Sequence, residues 1–554
     1  MILNDSAIKE RGEKLAGNSH SPWSMVHGPW TVDYPHKVVL FQVTAYRSFH
    51  TNQFFMATHF INIDLVKIFS TEQKKDSFLT VLAWGDEVDL IEKKAGFFKI
   101  ELKDFKVKDG SLIAANKTGF IIKTNSNKSF FDSILEPISN KKVMAVSVVD
   151  VQQGDGSVIE TPKGKTILID GGDNQMFARY LAARYSGSSK DNPKTVDCIV
   201  VSHGDADHFE GLPMILESET HTELKKRLFM DPQRIYHNGI VKRPSTKNGK
   251  DVPDKEILGP TVKQGDELFL TGLADDLLDV DDAEMNKPFK TWKKTLAEYK
   301  KRNSKLKIRR LDDKSKNVFN FLNDENIKVD VLGPLTQELN GEPVLKFLRQ
   351  PGKNVELEDS GKGSLSASHT INGHSVILRF KYGNVRFLFA GDLNEEAEDI
   401  LVEKLKNGEP VLNAEILKVP HHGSADFSTK FFEAVTPMVS IVSAGDESER
   451  KEYIHPRATL MGVLGKYSKL ERPLVFVTEM VAFFKMMGTS KTLDKKNKNS
   501  FFAFTRTSFG IVHVRTDGNK LLVYTHSGQK DLKEAYSFDV AADGTPTRKN
   551  VNIA

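Results

Sequence analysis

The chain has 554 residues, 39% hydrophobic and 27% charged, a balance typical of soluble globular proteins that excludes a fibrous, collagenous or wholly disordered class. Its length suggests about three to four domains. Lys and Arg number 78 against 74 Asp and Glu, for a net charge of +4, so any attraction to nucleic acid or membrane has to be local. Apolar runs such as Val143 to Val151 stop well short of the roughly 20 residues that cross a bilayer. The N-terminus mixes acidic and basic residues and lacks the apolar segment of a signal peptide. The single cysteine, Cys198, allows no internal disulfide. Together these features set the expectation of a cytoplasmic protein with no membrane association.

Residues 1–62 are aromatic-rich around Trp23, Trp30, Tyr34 and Phe41 and carry no interpretable motif, so they are taken as a segment of unknown fold. Over 63–125 short β-type runs (FLTVLAW, EVDLIE, FFKIEL, GFIIK) alternate with turn formers, which predicts a small barrel. The succession G-D-E-V, F-F-K-I, T-G-F-I resembles a bacterial SH3-like domain. That resemblance implies a structural or packing module, with a partner protein as the alternative use.

A larger domain is expected over 142–530. MAVSVVDVQ, TILIDGG and DCIVVSHG read as continuous apolar strands, the kind found in sheets covered on both faces. The pattern lapses over about 222–328, which reads as an insertion. Inside it, Lys287 to Lys316 holds 13 Lys/Arg against 3 Asp/Glu, with Phe289, Trp292 and Tyr299 interleaved. Strand logic resumes at VDVLGP, HSVILRF, RFLFAGD, EILKVPHHG and VSIVSAG, and ends with FFAFTRT, GIVHVRTDG and KLLVYTHSG. Residues 531–554 are left as a C-terminal tail.

The chemistry concentrates in VVSHGDADHFEG, where His203, Asp205, Asp207 and His208 crowd one loop after a buried strand. Unpaired imidazoles and carboxylates are costly to bury, and a metal ion removes that cost. Imidazole with carboxylate and no nearby thiolate suits Zn²⁺, Mn²⁺ or Fe²⁺. Asp392 in RFLFAGD and His421-His422 in KVPHHGS also end apolar strands. In an open α/β sheet the loops beyond such strand ends converge on one cleft.

With these motifs in that order, about residues 145–525 resemble the metallo-β-lactamase fold superfamily, and within it the domain found in ComEC-type DNA-uptake proteins. The resemblance implies an αββα sandwich with two divalent ions, Zn²⁺ or Mn²⁺. His203 and Asp205 would bind one ion and Asp207 and His208 the other, with Asp392 bridging. One of His421 and His422 would complete the coordination of the second ion and its neighbour would face the substrate phosphate. The pair is taken here as His421 on the metal and His422, with Asp207 and His455, in catalysis. The usual H-x-H-x-D-H has Asp205 in place of its middle histidine. Asn372 stands where hydrolytic relatives place a third-motif histidine, and is assigned to substrate together with Ser424. Asp150 and Asp155 are expected as outer carboxylates, and Asp170 as a residue that shapes its turn.

The favoured function is therefore a metal-dependent hydrolase of phosphodiester bonds, a nuclease acting on DNA or RNA. The basic run supports it, because cations meet phosphates while aromatics stack bases; Lys300, Lys301, Arg302, Arg309 and Arg310 are the expected contacts. A hydrolase of a small phosphoester or cyclic nucleotide is the alternative. A regulatory or binding protein with a degenerate site is a third reading, against which the intact ligand set speaks.

Overall fold

The computed structural model describes residues 58–73, 77–123, 128–247, 249–350, 364–406, 411–445, 455–478, 484–490, 501–506, 510–526 and 534–554. Almost all of the segment 1–62 lies outside them. Two mixed sheets face each other. Among the described residues the first has ten strands, in the order Lys307–Arg310, Arg234–His237, Cys198–Val200, Thr166–Ile169, Ser157–Glu160, Met144–Val148, Ile511–Thr516, Lys520–His526, Ala535–Val540, Pro546–Lys549. The second has six: Ile327–Gly333, Ile377–Tyr382, Val385–Phe389, Ile416–Lys418, Val439–Val442 and Leu474–Val477.

Val146, Ile167, Val200 and Val514 of the first sheet share one buried cluster with Leu378, Phe387, Ile416 and Ile441 of the second. The outer face of the first sheet is covered by helices Met176–Arg184, Pro213–Ser218 and Lys287–Arg302. The outer face of the second is covered by Glu395–Leu405, Thr429–Val435 and Ala458–Lys466. The order is thus helices, sheet, sheet, helices. It explains why so many strands are apolar on both faces, as in Thr166–Ile169 and Val439–Val442, where every residue is buried.

Each sheet has a parallel part, and these parts carry the site. In the first, Thr166–Ile169, Cys198–Val200, Arg234–His237 and Lys307–Arg310 run parallel, with Ile167 opposite Cys198 and Ile199 opposite Ile235. In the second, Val385–Phe389, Ile416–Lys418 and Val439–Val442 do the same. Two strands inside the stretch expected as an insertion, Arg234–His237 and Lys307–Arg310, are therefore members of the first sheet. So is Ala535–Val540, beyond the expected end of the domain at 530.

The expected closed barrel over 63–125 is instead an open half-barrel. Seven strands pair in the order Phe78–Ala83, Leu65–Phe69, Lys117–Ile122, Phe97–Leu102, Glu87–Lys93, His59–Ile61, Leu135–Pro137, and no pairing among the described residues joins the two end strands. Ile68, Phe98, Ile100 and Ile121 fill its concave side together with Ala554. The chain terminus reaches it through Ala554 N–H to the Leu65 carbonyl and Lys67 N–H to the Ala554 carbonyl. Trp84, Leu65 and Phe60 pack against Leu522 and Tyr524 of the first sheet. No helix among the described residues is long and apolar enough to cross a membrane.

Candidate metal centre

Loops leaving the parallel strands of both sheets meet at one buried point. His208 Nε2 lies 3.2 Å from Asp392 Oδ1 and 3.9 Å from Asp207 Oδ1. His422 Nε2 lies 3.2 Å from Asp392 Oδ2 and 3.3 Å from Asp207 Oδ2. His203 Nε2 is 4.0 Å from Asp392 Oδ2. His203 and His208 are fully buried, and Asp392 and His422 are each only 3% exposed.

The other nitrogen of each imidazole is tied down. His208 Nδ1 lies 3.0 Å from Asp170 Oδ2, and that carboxylate also accepts from the Ser202 N–H and hydroxyl, both at 2.7 Å. His422 Nδ1 donates to the Ser443 carbonyl at 3.0 Å. These bonds fix ring orientation and tautomer and leave Nε2 facing inward. Nε2 of His208, Nε2 of His422 and Oδ1 of Asp392 are buried and make no hydrogen bond, which is the pattern a bound cation satisfies. His203, His208 and Asp392 form one set of ligand atoms within 4.8 Å of one another, and Asp207, His208 and His422 form another.

The local backbone is built for this approach. His421 and His422 both sit in the left-handed region, at φ 48° and 51°, which turns the second ring back towards the sheet edge. Such conformations cost of order 1–3 kcal/mol each and persist only where the surroundings impose them. At Gly154, φ +95°, a Cβ would fall 1.7 Å from the Asp207 carbonyl oxygen, so only glycine lets this loop lie against the metal loop.

Electrostatics point the same way. Burial pulls His208 and His422 down, but the carboxylates around them, Asp392 foremost, override it and hold both well above the ordinary histidine range. Burial would raise Asp392 and Asp207, yet the neighbouring His208 and His422 hold both below the usual carboxylate range. Burial takes His203 well below its ordinary value. Protons on two imidazoles balance carboxylates that a divalent ion would balance directly, and displacing them is how metal binding couples to pH.

Two groups at the site were missed by sequence reasoning. Lys418 is buried and ion-paired to Asp155, and Asp155 itself lies 3.4 Å from His422 Nδ1 and forms a ligand set with Asp392 and His422. The signal was a lysine inside the otherwise apolar run EILKVP. Lys242 Nζ donates to Asp205 Oδ1 at 2.9 Å, and nothing local in the sequence marks it.

Several expected placements change. His422, not His421, enters the cluster, because consecutive left-handed residues aim the two rings apart; their centroids are 6.4 Å away from each other at 71°. Among the described residues Asp205 belongs to no ligand set. Asn372, with its amide nitrogen turned towards acceptors, donates to Asp205 Oδ2 at 2.9 Å and to the Ser368 carbonyl at 3.3 Å. Asp170 orients His208 as well as shaping its turn. Ser424 does not stand at a helix entrance, since the helix begins at Thr429; its hydroxyl accepts the Asp426 N–H at 3.2 Å. His455 lies beside His421, ring centroids 6.2 Å apart. Burial, then His422 and His421, pull it down to about 4, so at neutral pH it is an uncharged imidazole and a poor proton donor.

The basic run departs furthest from expectation. Helix Lys287–Arg302 buries Phe289, Trp292, Leu296 and Tyr299 against the first sheet, so its aromatics are closed to bases. Phe289 packs on Phe209 at 5.0 Å and under Gly204, which puts the start of the helix beside the metal loop. At about 1.5 Å per residue, Lys300, Lys301 and Arg302 then lie roughly 16 Å or more along the axis. Lys300 donates to the Leu306 carbonyl at 2.5 Å, Arg302 pairs with Glu219, and Arg310 pairs with Asp275 and Asp312. Lys301 and Arg309 are exposed.

Residues 149–231, which carry the metal loop and Asp170, match the model of the Metallo-beta-lactamase superfamily. The chain carries a domain of this superfamily. ComE operon protein 3 of Bacillus subtilis (strain 168) is 31% identical over 98 residues, 18% of this chain and 12% of that protein's length. Among solved structures, Tm1679, a metal-dependent hydrolase of the beta-lactamase superfamily, is 11% identical with a TM-score of 0.28, over 61% of this chain and 97% of that one. A long form RNase Z from yeast is 10% identical with a TM-score of 0.22, over 60% of this chain and 36% of that one.

Proposed function

We propose that the protein is a metal-dependent hydrolase of phosphodiester bonds, a nuclease acting on DNA or RNA. The observation that carries the reading is the meeting of His208 Nε2 and His422 Nε2 with the carboxylates of Asp207 and Asp392, all facing one buried point with no other partner for the imidazole nitrogens. These four residues, with His203 beside them, would hold Zn²⁺ or Mn²⁺. When bound, a divalent ion activates water near neutral pH and stabilises charge on a phosphoryl group.

The chain's own residues supply the positioning. Asp170 and the Ser443 carbonyl set the two imidazoles. Gln153 Nε2 donates to Asp207 Oδ2 at 3.1 Å, which fixes a carboxylate held in its ionised form where it can orient an attacking water. Lys418 balances Asp155 at the floor of the site. His421, half-buried and in no ligand set among the described residues, would be the imidazole that meets a substrate phosphate.

The choice of a polynucleotide follows the resemblance to the ComEC-type domain. One observation favours the second reading, a small phosphoester or cyclic nucleotide: the burial of Phe289, Trp292 and Tyr299 removes the stacking platform that a polynucleotide would use. Hydrolysis of bis-p-nitrophenyl phosphate should be abolished by EDTA and fall at least about a hundredfold in Asp392→Ala, since that carboxylate faces both imidazoles. Equal rates in the two proteins would refute the assignment. Cleavage of labelled DNA, RNA and cyclic dinucleotides by the metal-loaded protein then separates the two substrate classes.

A further inference from the structure

We propose that Lys242 takes the place of one of the two metal ions, so that the centre holds a single divalent ion beside a fixed lysine ammonium. The inference rests on the metal centre proposed above and goes beyond it in ion number and in the role of Lys242.

The cluster divides into unlike halves. On one side, Nε2 of His208, Nε2 of His422 and Oδ1 of Asp392 are buried inward atoms that no hydrogen bond satisfies, and Asp207 forms a ligand set with the two imidazoles. On the other, each oxygen of Asp205 already accepts from a donor. Its Oδ1 takes Lys242 Nζ at 2.9 Å and its Oδ2 takes the Asn372 amide at 2.9 Å. An ion bound through Asp205 would compete with the donor at the oxygen it takes, and would face an ammonium in a partly buried setting where like charges are poorly screened. Without Asp205, the half keeps His203, whose Nε2 has only Asp392 at 4.0 Å and whose Nδ1 lies near the Ser202 and Ser375 hydroxyls at 3.1 and 3.3 Å. The other members of its ligand set, His208 and Asp392, already serve the first site, so His203 alone adds too little to make a second site beside a well-furnished first one.

Lys242 is held in place by its backbone. It follows strand Arg234–His237 through a segment pinned at both ends: Asn238 Nδ2 donates to the His374 carbonyl at 3.0 Å, Asn238 Oδ1 accepts the Ile240 N–H at 3.1 Å, and the Lys242 carbonyl accepts the Asn286 N–H at 2.9 Å. The side chain stays 31% exposed, so the ammonium sits on the open side of the centre. There it can neutralise Asp205 and still present a proton to a phosphoryl oxygen, a charge-assisted contact of the kind lysine makes as a point charge.

Metal stoichiometry tests this directly. The protein is stripped with chelator and titrated with Mn²⁺, and free ion is counted by electron paramagnetic resonance. The wild type is expected to bind one equivalent, Lys242→Arg one, and Lys242→Met two, because removing the ammonium frees Asp205 to join His203 and Asp392. Asp205→Asn should leave one equivalent bound. Two equivalents in the wild type, one in Lys242→Met, or none in Asp205→Asn would each overturn the inference. A wild type that binds no metal contradicts the proposed function as well, whereas two equivalents in the wild type overturns only the role given to Lys242.

Discussion

The metal loop and helix Lys287–Arg302 both look functional in the sequence, one dense in imidazoles and carboxylates, the other in cations and aromatics, yet they do opposite things in the fold. The loop residues stand at the ends of parallel strands, where chains from two sheets converge, and Nε2 of His208 meets Asp392 and His422 there with no hydrogen bond of its own. The helix residues obey a 3.6-residue period. Phe289, Trp292, Leu296 and Tyr299 fall on one stripe and turn inward, and the cations are what remains on the solvent side. Residue type marks a candidate, and the element that carries it decides whether the side chains meet.

Breaking the inward stripe should show the largest effect on the helix. Trp292→Ala is expected to cost about 3–5 kcal/mol, the usual range for emptying a buried aromatic site, seen as a large fall in the unfolding midpoint. A stability near wild type, with weakened oligonucleotide binding, would restore the stacking role.

Buried charge without a site gives a second contrast. Glu160 would be raised by burial, but Arg184 beside it holds the carboxyl at about 2, with Arg184 Nε at 3.1 Å and the Tyr185 hydroxyl at 2.8 Å as donors. Here the partners are complete, and the expectation is structural. A carboxyl whose folded pKa is depressed contributes stability above its unfolded value that is lost as pH falls through the folded one. The excess stability of wild type over Glu160→Gln, on the order of 3 kcal/mol, should therefore be full above about pH 4.5 and shrink towards about pH 2. Thermal midpoints of the two proteins across that window provide the check, and a gap independent of pH would remove the ion pair from the account.

The smallest effect is expected at the outer face of the basic run. Replacing Lys301 and Arg309 by Gln together should change turnover of bis-p-nitrophenyl phosphate by less than about twofold, as surface changes away from a site usually do. If fluorescence anisotropy with a labelled oligonucleotide showed a steep, salt-dependent loss of affinity, that face would be the nucleic-acid surface after all.

The legible part of the site was the part written in consecutive residues. His203, Asp207 and His208 follow an apolar strand, and Asp392 ends another, so strand-end logic finds them. The His421-His422 pair resisted because adjacent residues differ only in where the backbone aims them, and two left-handed φ values are invisible in the letters HHGS. Lys242 and Asp205 are distant in sequence, so their pairing is a property of the fold alone. The aromatic stripe was there to be read, but the cations between suggested a stacking role instead: with Leu296, the spacing of Phe289, Trp292 and Tyr299 is helical, and that period decides which way they face. In the fold, strands Arg234–His237 and Lys307–Arg310 escaped notice because RIYH and KIRR are short and carry charges at the sheet's end. The half-barrel strands were visible one by one, but their failure to close was not.

The central claim is that His422, with His208, Asp207 and Asp392, holds a divalent ion. Elemental analysis of the His422→Ala and His421→Ala proteins, each loaded with Mn²⁺ or Zn²⁺ and freed of unbound ion, tests it most directly. The account predicts that His422→Ala loses most of its bound metal while His421→Ala keeps the wild-type content. Metal retained in His422→Ala, or lost in His421→Ala alone, would contradict it.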